Sequence, residues 1–253
     1  MNEVLARAWD EAADGYEAYF VPRFAPWVAA AVAAVDEVPA GPVLVPCCGT
    51  FPEADPLVAR FPGREVVGID LSAGMVRRAN ARVSGMPGVR AVVGDAAALD
   101  PGWEGRCAAV VSVFGLQQIP DALGAVRSWV GALAPGGRLS VVYWPEDTEE
   151  DGPFALMRSI LPVRSERSWE PGLLDAVASA GATVIRDEHP AFPMEHADAE
   201  TFFHAFSCSG PMRASALVHG EEFVARVRAD FLRAAPSGRW THTPRARLVT
   251  AVR

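Results

Sequence analysis

One stretch limits the folds open to this chain more than any other. Pro42-Val43-Leu44-Val45-Pro46-Cys47-Cys48-Gly49-Thr50-Phe51 reads as a short buried strand running into a tight turn of small residues. A second apolar run, Glu65 to Ile69, follows about twenty residues on and ends in Asp70. Strand, turn, helix, strand, acid is the opening of a nucleotide-binding βαβ unit. Small residues at the turn let backbone N–H groups approach a ligand, and the acid can accept both ribose hydroxyls. The turn is not a dinucleotide fingerprint. Where Gly-x-Gly-x-x-Gly places its first and last glycines, this chain has Cys47 and Pro52, so nothing cradles a pyrophosphate. A cofactor with a ribose and no phosphate suits the turn better.

Composition removes other classes. With 253 residues, half of them hydrophobic, the chain (1–253) reads as one domain with an elaborated edge. A net charge of −8, from 31 acids and 23 bases, argues against nucleic acid as partner. Four cysteines without a Cys-x-x-Cys pair point to a reduced, cytoplasmic protein. The histidines lack His-x-x-x-His or His-Glu-x-x-His spacing, so no metal is expected. Neither a signal peptide nor a run long enough to span a bilayer is visible, and no membrane partner is expected. Gly-x-Ser-x-Gly and phosphate-loop motifs are absent.

Five motifs lie in order between about residues 40 and 145: Val43–Thr50, Val66–Ser72, Val93–Ala96, Phe114–Asp121 and Leu133–Leu139. Together they resemble those of the class I S-adenosylmethionine-dependent methyltransferases, with most similarity to the small-molecule enzymes of ubiquinone and menaquinone biosynthesis. The departures are local: Val45 replaces the family's strand-1 acid, Cys47 its first glycine and Phe51 its third.

The resemblance implies a Rossmann-like α/β fold. It would have a seven-stranded, mostly parallel sheet with an antiparallel last strand and helices on both faces. S-adenosylmethionine would be the cofactor and S-adenosylhomocysteine the product. Asp70 would hold the ribose, with Leu71 beside it; Gly94, Asp95, Ala96 and Met75 would lie at the adenine. Pro46, Cys47, Cys48, Gly49, Phe114 and Gly115 would line the rest, with Tyr16 as a cover. Phe51, beside the turn, would narrow the methionine pocket or stack on substrate.

In chain order, residues 1–38 read as a helical cap made of two helices, 3–20 and 26–35, with Tyr16, Tyr19 and Phe20 on one face. Residues 39–188 form the cofactor core, and Gly136-Gly137 closes the helix before strand 5. Residues 145–169 read as a substrate flap with 146–151 solvated. Residues 189–240 are a substrate-specificity insertion with two helices, and 241–253 carry the last strand. Tyr19, Gln118, Trp144 and Phe203 are candidate substrate contacts. Gln117 and Gln118 stand where many relatives have a histidine pair; glutamine can orient a nucleophile but cannot act as a base. His204, among aromatics, is the first candidate for a general base. The expected function is methyl transfer to O, N or C of a small, largely apolar metabolite, as in bacterial secondary metabolism. The alternative is an enzyme of the same fold and cofactor that cyclises or decarboxylates. A monomer or a homodimer is expected.

Overall fold

The computed structural model describes residues 2–161 and 168–253. Seven strands form the main sheet in the order β3-β2-β1-β4-β5-β9-β6. These are β1 (Val43–Pro46), β2 (Val66–Asp70), β3 (Val89–Val93), β4 (Cys107–Val113), β5 (Leu133–Tyr143), β6 (Thr183–Glu188) and β9 (Arg247–Val252). Strand β9 runs antiparallel to β5 and β6; the other pairs are parallel. This is the sheet that the resemblance implies.

Period-two alternation divides the strands between two cores. Val43, Val45, Val66 and Val142 face a core built with α1 (Asn2–Ala33), α2 (Ala54–Arg60) and α3 (Ala73–Arg82). Leu44, Val67, Val110 and Val141 face the other, built with α4 (Ala122–Ala132) and α6 (Leu173–Ser179). All seven residues of β4 are buried, as its lack of charge predicts. Ser72 and Asp121 cap α3 and α4 by accepting the N–H groups of Met75 and Gly124.

Four expectations are corrected. The cap is one helix, α1, which runs through Pro22 and Pro26. Interior proline costs about 3 kcal/mol, but Phe20, Phe24 and Trp27, all buried along this segment, offset it at about 1.5–3 kcal/mol each. Gly136-Gly137 does not cap α4, which ends at Ala132. The glycines lie in β5, where the pairing with β4 shifts between Cys107 and Ala109. The insertion holds three helices, α7 (Ala199–Ser207), α8 (Gly210–His219) and α9 (Glu221–Ala234), plus a small sheet of β7 (Met194–His196) and β8 (Trp240–His242). Its aromatics Phe202, Phe203 and Phe231 are buried in a third core with Met157 of α5 (Pro153–Ile160). Lastly, the 146–151 segment is not uniformly solvated: Thr148 and Glu149 are buried. The flap expected over 145–169 includes residues 162–167, which lie outside the described residues.

Candidate functional site

The turn after β1 is held from two sides. Cys48 donates its N–H to Ile69 O, and Gly49 donates to Asp70 Oδ2 at 2.8 Å. Asp70 Oδ1 accepts from Ser72 N at 3.0 Å. The carboxylate at the end of β2 is thus fixed beside the turn, with lone pairs left for a ligand. Burial raises its pKa, opposed by the Ser72 and Gly49 N–H groups.

Cys47 (φ 56°), Gly49 (φ 51°) and Phe51 (φ 65°) all adopt the left-handed region. The turn therefore keeps a glycine backbone where the side chains have changed. Space for those side chains comes from glycines opposite. A Cβ on Gly115 would stand 2.2 Å from Cys47 Cβ; one on Gly68 would stand 2.7 Å from Cys48 Sγ and 3.1 Å from the Phe51 ring. The Phe51 ring is fully buried in the core against Gly68. The expectation that Phe51 narrows the pocket or stacks on substrate is corrected: the missing side chain at Gly68 gives the ring a place beneath the turn.

Two cavities meet here. The first is lined by Cys47, Cys48, Gly49, Asp70, Leu71, Met75, Asp95, Ala96 and Gly115, together with Thr50 and Glu53. The second is aromatic, lined by Phe20, Phe24, Trp144, Phe154 and Phe206, with Gln117, Glu146 and Arg158. Trp9, Tyr16, Phe114 and Gln118 line both. Phe114 stacks on Trp144 with centroids 4.1 Å apart, and its left-handed backbone (φ 58°) is braced by Gln117 Nε2 donating to Phe114 O at 2.7 Å. The Gln117 Oε1 atom is buried without a partner.

The remaining candidates lie elsewhere. Pro46 is buried inside β1, its carbonyl accepting from Ser112 Oγ. Gly94 supports the site from behind, donating to Asp70 O and lying against Ile69. Phe203 packs on Phe231 in the insertion core and reaches neither cavity. His204 is exposed on α7 and is withdrawn as a base; helical spacing turns it away from the buried Phe202 and Phe203. Tyr19 also stands outside both cavities. Its hydroxyl lies 2.7 Å from His196 Nδ1; His196 Nε2 lies 2.9 Å from His242 Nε2; His242 Nδ1 lies 2.6 Å from Glu149 Oε2. One order gives each contact a single proton: Tyr19 donates to His196, His196 to His242, His242 to Glu149. Glu149 Oε1 also accepts from Phe154 N and Ala155 N, the first turn of α5. The chain joins α1, the insertion and the aromatic cavity's flap.

Sequence reasoning missed Thr50, Glu53, Trp9, Phe24, Phe154 and Phe206 in the cavity walls. The spacing of Phe20, Phe24 and Trp27 on one helical face was a usable signal for Phe24; the others depend on tertiary packing.

Comparison with known proteins finds a family match and several relatives. Residues 43–137 match the family described as methyltransferase domain. The trans-aconitate 2-methyltransferase of Rhizobium meliloti is 34% identical over 160 residues, covering 63% of this chain and 56% of that protein. The ubiquinone/menaquinone biosynthesis C-methyltransferase UbiE of Syntrophotalea carbinolica is 30% identical over 122 residues, covering 48% and 52%. The chain thus spans about half the length of the curated relatives it matches. Among solved structures, the geranyl diphosphate C-methyltransferase of Streptomyces coelicolor, in complex with S-adenosyl-L-homocysteine, superposes with a TM-score of 0.53 at 16% identity, covering 92% of this chain and 79% of that one. That likeness shows the fold.

Proposed function

We infer that this chain, with a methyltransferase-domain match over residues 43–137 and the class I methyltransferase fold, transfers a methyl group from S-adenosylmethionine to a small, largely apolar metabolite. The observation that carries the reading is the pair of joined cavities. One presents Asp70 at the end of β2 beside an open small-residue turn; the other is walled by aromatic rings; Tyr16, Phe114 and Gln118 border both.

The first cavity fits the cofactor. Asp70 would accept the ribose hydroxyls, Asp95 and Ala96 would meet the adenine, and the Cys47–Gly49 turn would line the methionyl portion. When bound, S-adenosylmethionine supplies a methyl on a sulfonium leaving group, which needs no nucleophilic side chain. The residues' work is to place the acceptor in line and exclude water. Phe24, Phe114, Trp144 and Phe154 would desolvate the acceptor, and Gln118 would orient it. The only charged lining residues of that cavity among the described ones are Glu146 and Arg158. The methylated atom is O, N or C of such a metabolite, in a reducing compartment, and the unit acts as monomer or homodimer.

Calorimetric titration with S-adenosylmethionine and S-adenosylhomocysteine, with NAD as control, tests the cofactor. Micromolar binding of both and none of NAD is the expected result; absence of binding refutes the reading. Tritiated methyl transfer to apolar acceptors then separates methylation from cyclisation or decarboxylation, which would bind the cofactor and yield no labelled product.

A further inference from the structure

We propose that Glu53, assisted by Thr50, receives the ammonium group at the methionyl end of the cofactor. The inference rests on the cofactor reading above and extends it to Glu53, which lies outside the five motifs.

Thr50 and Glu53 both line the first cavity and are 1% and 2% exposed. Their atoms Thr50 Oγ1 and Glu53 Oε2 have no hydrogen-bond partner among the described residues. Buried polar atoms are normally satisfied, and one left open beside a cavity points to what the cavity takes. Of the cavity's three carboxylates, Asp70 is engaged by Gly49 N and Ser72 N, and Asp95 by Ala97 N. Glu53 is the one with a buried, unpartnered oxygen. Strand β1 itself offers no acid, since Val45 is buried and apolar. An ammonium has three donors and no acceptor, which matches a carboxylate oxygen and a hydroxyl oxygen three residues apart at the start of α2.

The surrounding charges suit a ligand-induced ionisation. Burial, with Asp70 adding, pushes the Glu53 carboxyl up to about 8, and Arg82 of α3 opposes this. The Arg82 guanidinium is committed elsewhere: it donates to Thr50 O at 3.0 Å and to Glu17 of α1. The other titratable neighbours, Tyr16 on α1 and the Cys47 and Cys48 thiols in the turn, are all pushed up by burial and stay neutral. Without ligand, Glu53 therefore holds a proton near neutral pH. An arriving cation would release it.

Calorimetry at pH 7, in two buffers of different ionisation enthalpy, tests this with S-adenosylhomocysteine and with 5′-deoxy-5′-methylthioadenosine, which lacks the amino-acid end. The wild type should release a proton on binding the first ligand and none on binding the second. Glu53→Gln should bind S-adenosylhomocysteine at least tenfold more weakly, without proton release, and bind the truncated nucleoside as the wild type does. Thr50→Val should weaken the first ligand alone. Unchanged affinity of Glu53→Gln for S-adenosylhomocysteine, or equal loss of both ligands, would overturn the proposal. A wild type that binds neither ligand would refute the cofactor reading itself and the subsite with it. Misfolding is separated by a thermal melt, in which Glu53→Gln should match or exceed the wild type.

Discussion

Cys47 and Phe51 hold positive φ angles that glycine adopts without penalty. The chain tolerates them because Gly115 and Gly68 leave room for their side chains. A residue-scale prediction follows from the 2.2 Å approach that a Cβ on Gly115 would make to Cys47. Gly115→Ala should displace the turn and weaken cofactor binding at least tenfold by calorimetry. Adding Cys47→Gly removes the atom it strikes, so the double variant should regain most of the loss, a coupling that a double-mutant cycle measures. Phe51→Gly would relieve the backbone yet empty a fully buried site, costing about 3–5 kcal/mol in a denaturant titration, as for other large aromatic deletions. Asp70→Ala should abolish cofactor binding and leave the far-ultraviolet spectrum native.

At the scale of elements, Glu149 ties three pieces together. One carboxylate oxygen accepts the first N–H groups of α5, and the other receives His242 of β8, which leads through His196 of β7 to Tyr19 of α1. Phe154 at the start of α5 packs edge-on against His242 while lining the aromatic cavity. Glu149→Ala leaves buried donors unmet on two elements and should cost about 1–3 kcal/mol for each donor that water does not reach. Hydrogen exchange should then show α5 opening ahead of the main sheet. Uniform loss of protection across the sheet would contradict this latch.

For the whole molecule, two buried groups give stability a pH dependence from both sides. His196 is pushed down to about 3, first by burial, then by His242 and Arg23. The unfolded chain takes up this proton near 6.5 while the folded chain refuses it, so stability is lost as pH falls from about 6.5 toward 3. Glu53, pushed up to about 8, acts oppositely: its contribution is complete below the usual glutamate value and lost as pH rises toward 8. Without cofactor, His196→Gln should flatten the acid limb of the stability profile. Glu53→Gln should raise stability near pH 8. Denaturant midpoints at pH 5, 7 and 8 check both.

The sequence alone determined the βαβ core, the sheet type by resemblance, the place of Asp70 at the end of β2 and the β4 interior. These rest on local signals: period-two alternation, short turns, an acid at a strand end and helix caps such as Ser72. Tertiary structure decided the rest, because the deciding contacts join distant residues. Aromatic burial on the sheet carries α1 past two prolines. Gly68 on β2 admits Phe51, and Gly115 after β4 admits Cys47. His204 faces outward, while His196 and His242, forty-six positions apart, meet inside the fold. Glu53 reads locally as one more helix-start acid; only closure of α1 and α3 over the turn buries it beside the cavity, since burial depends on what packs from elsewhere in the chain.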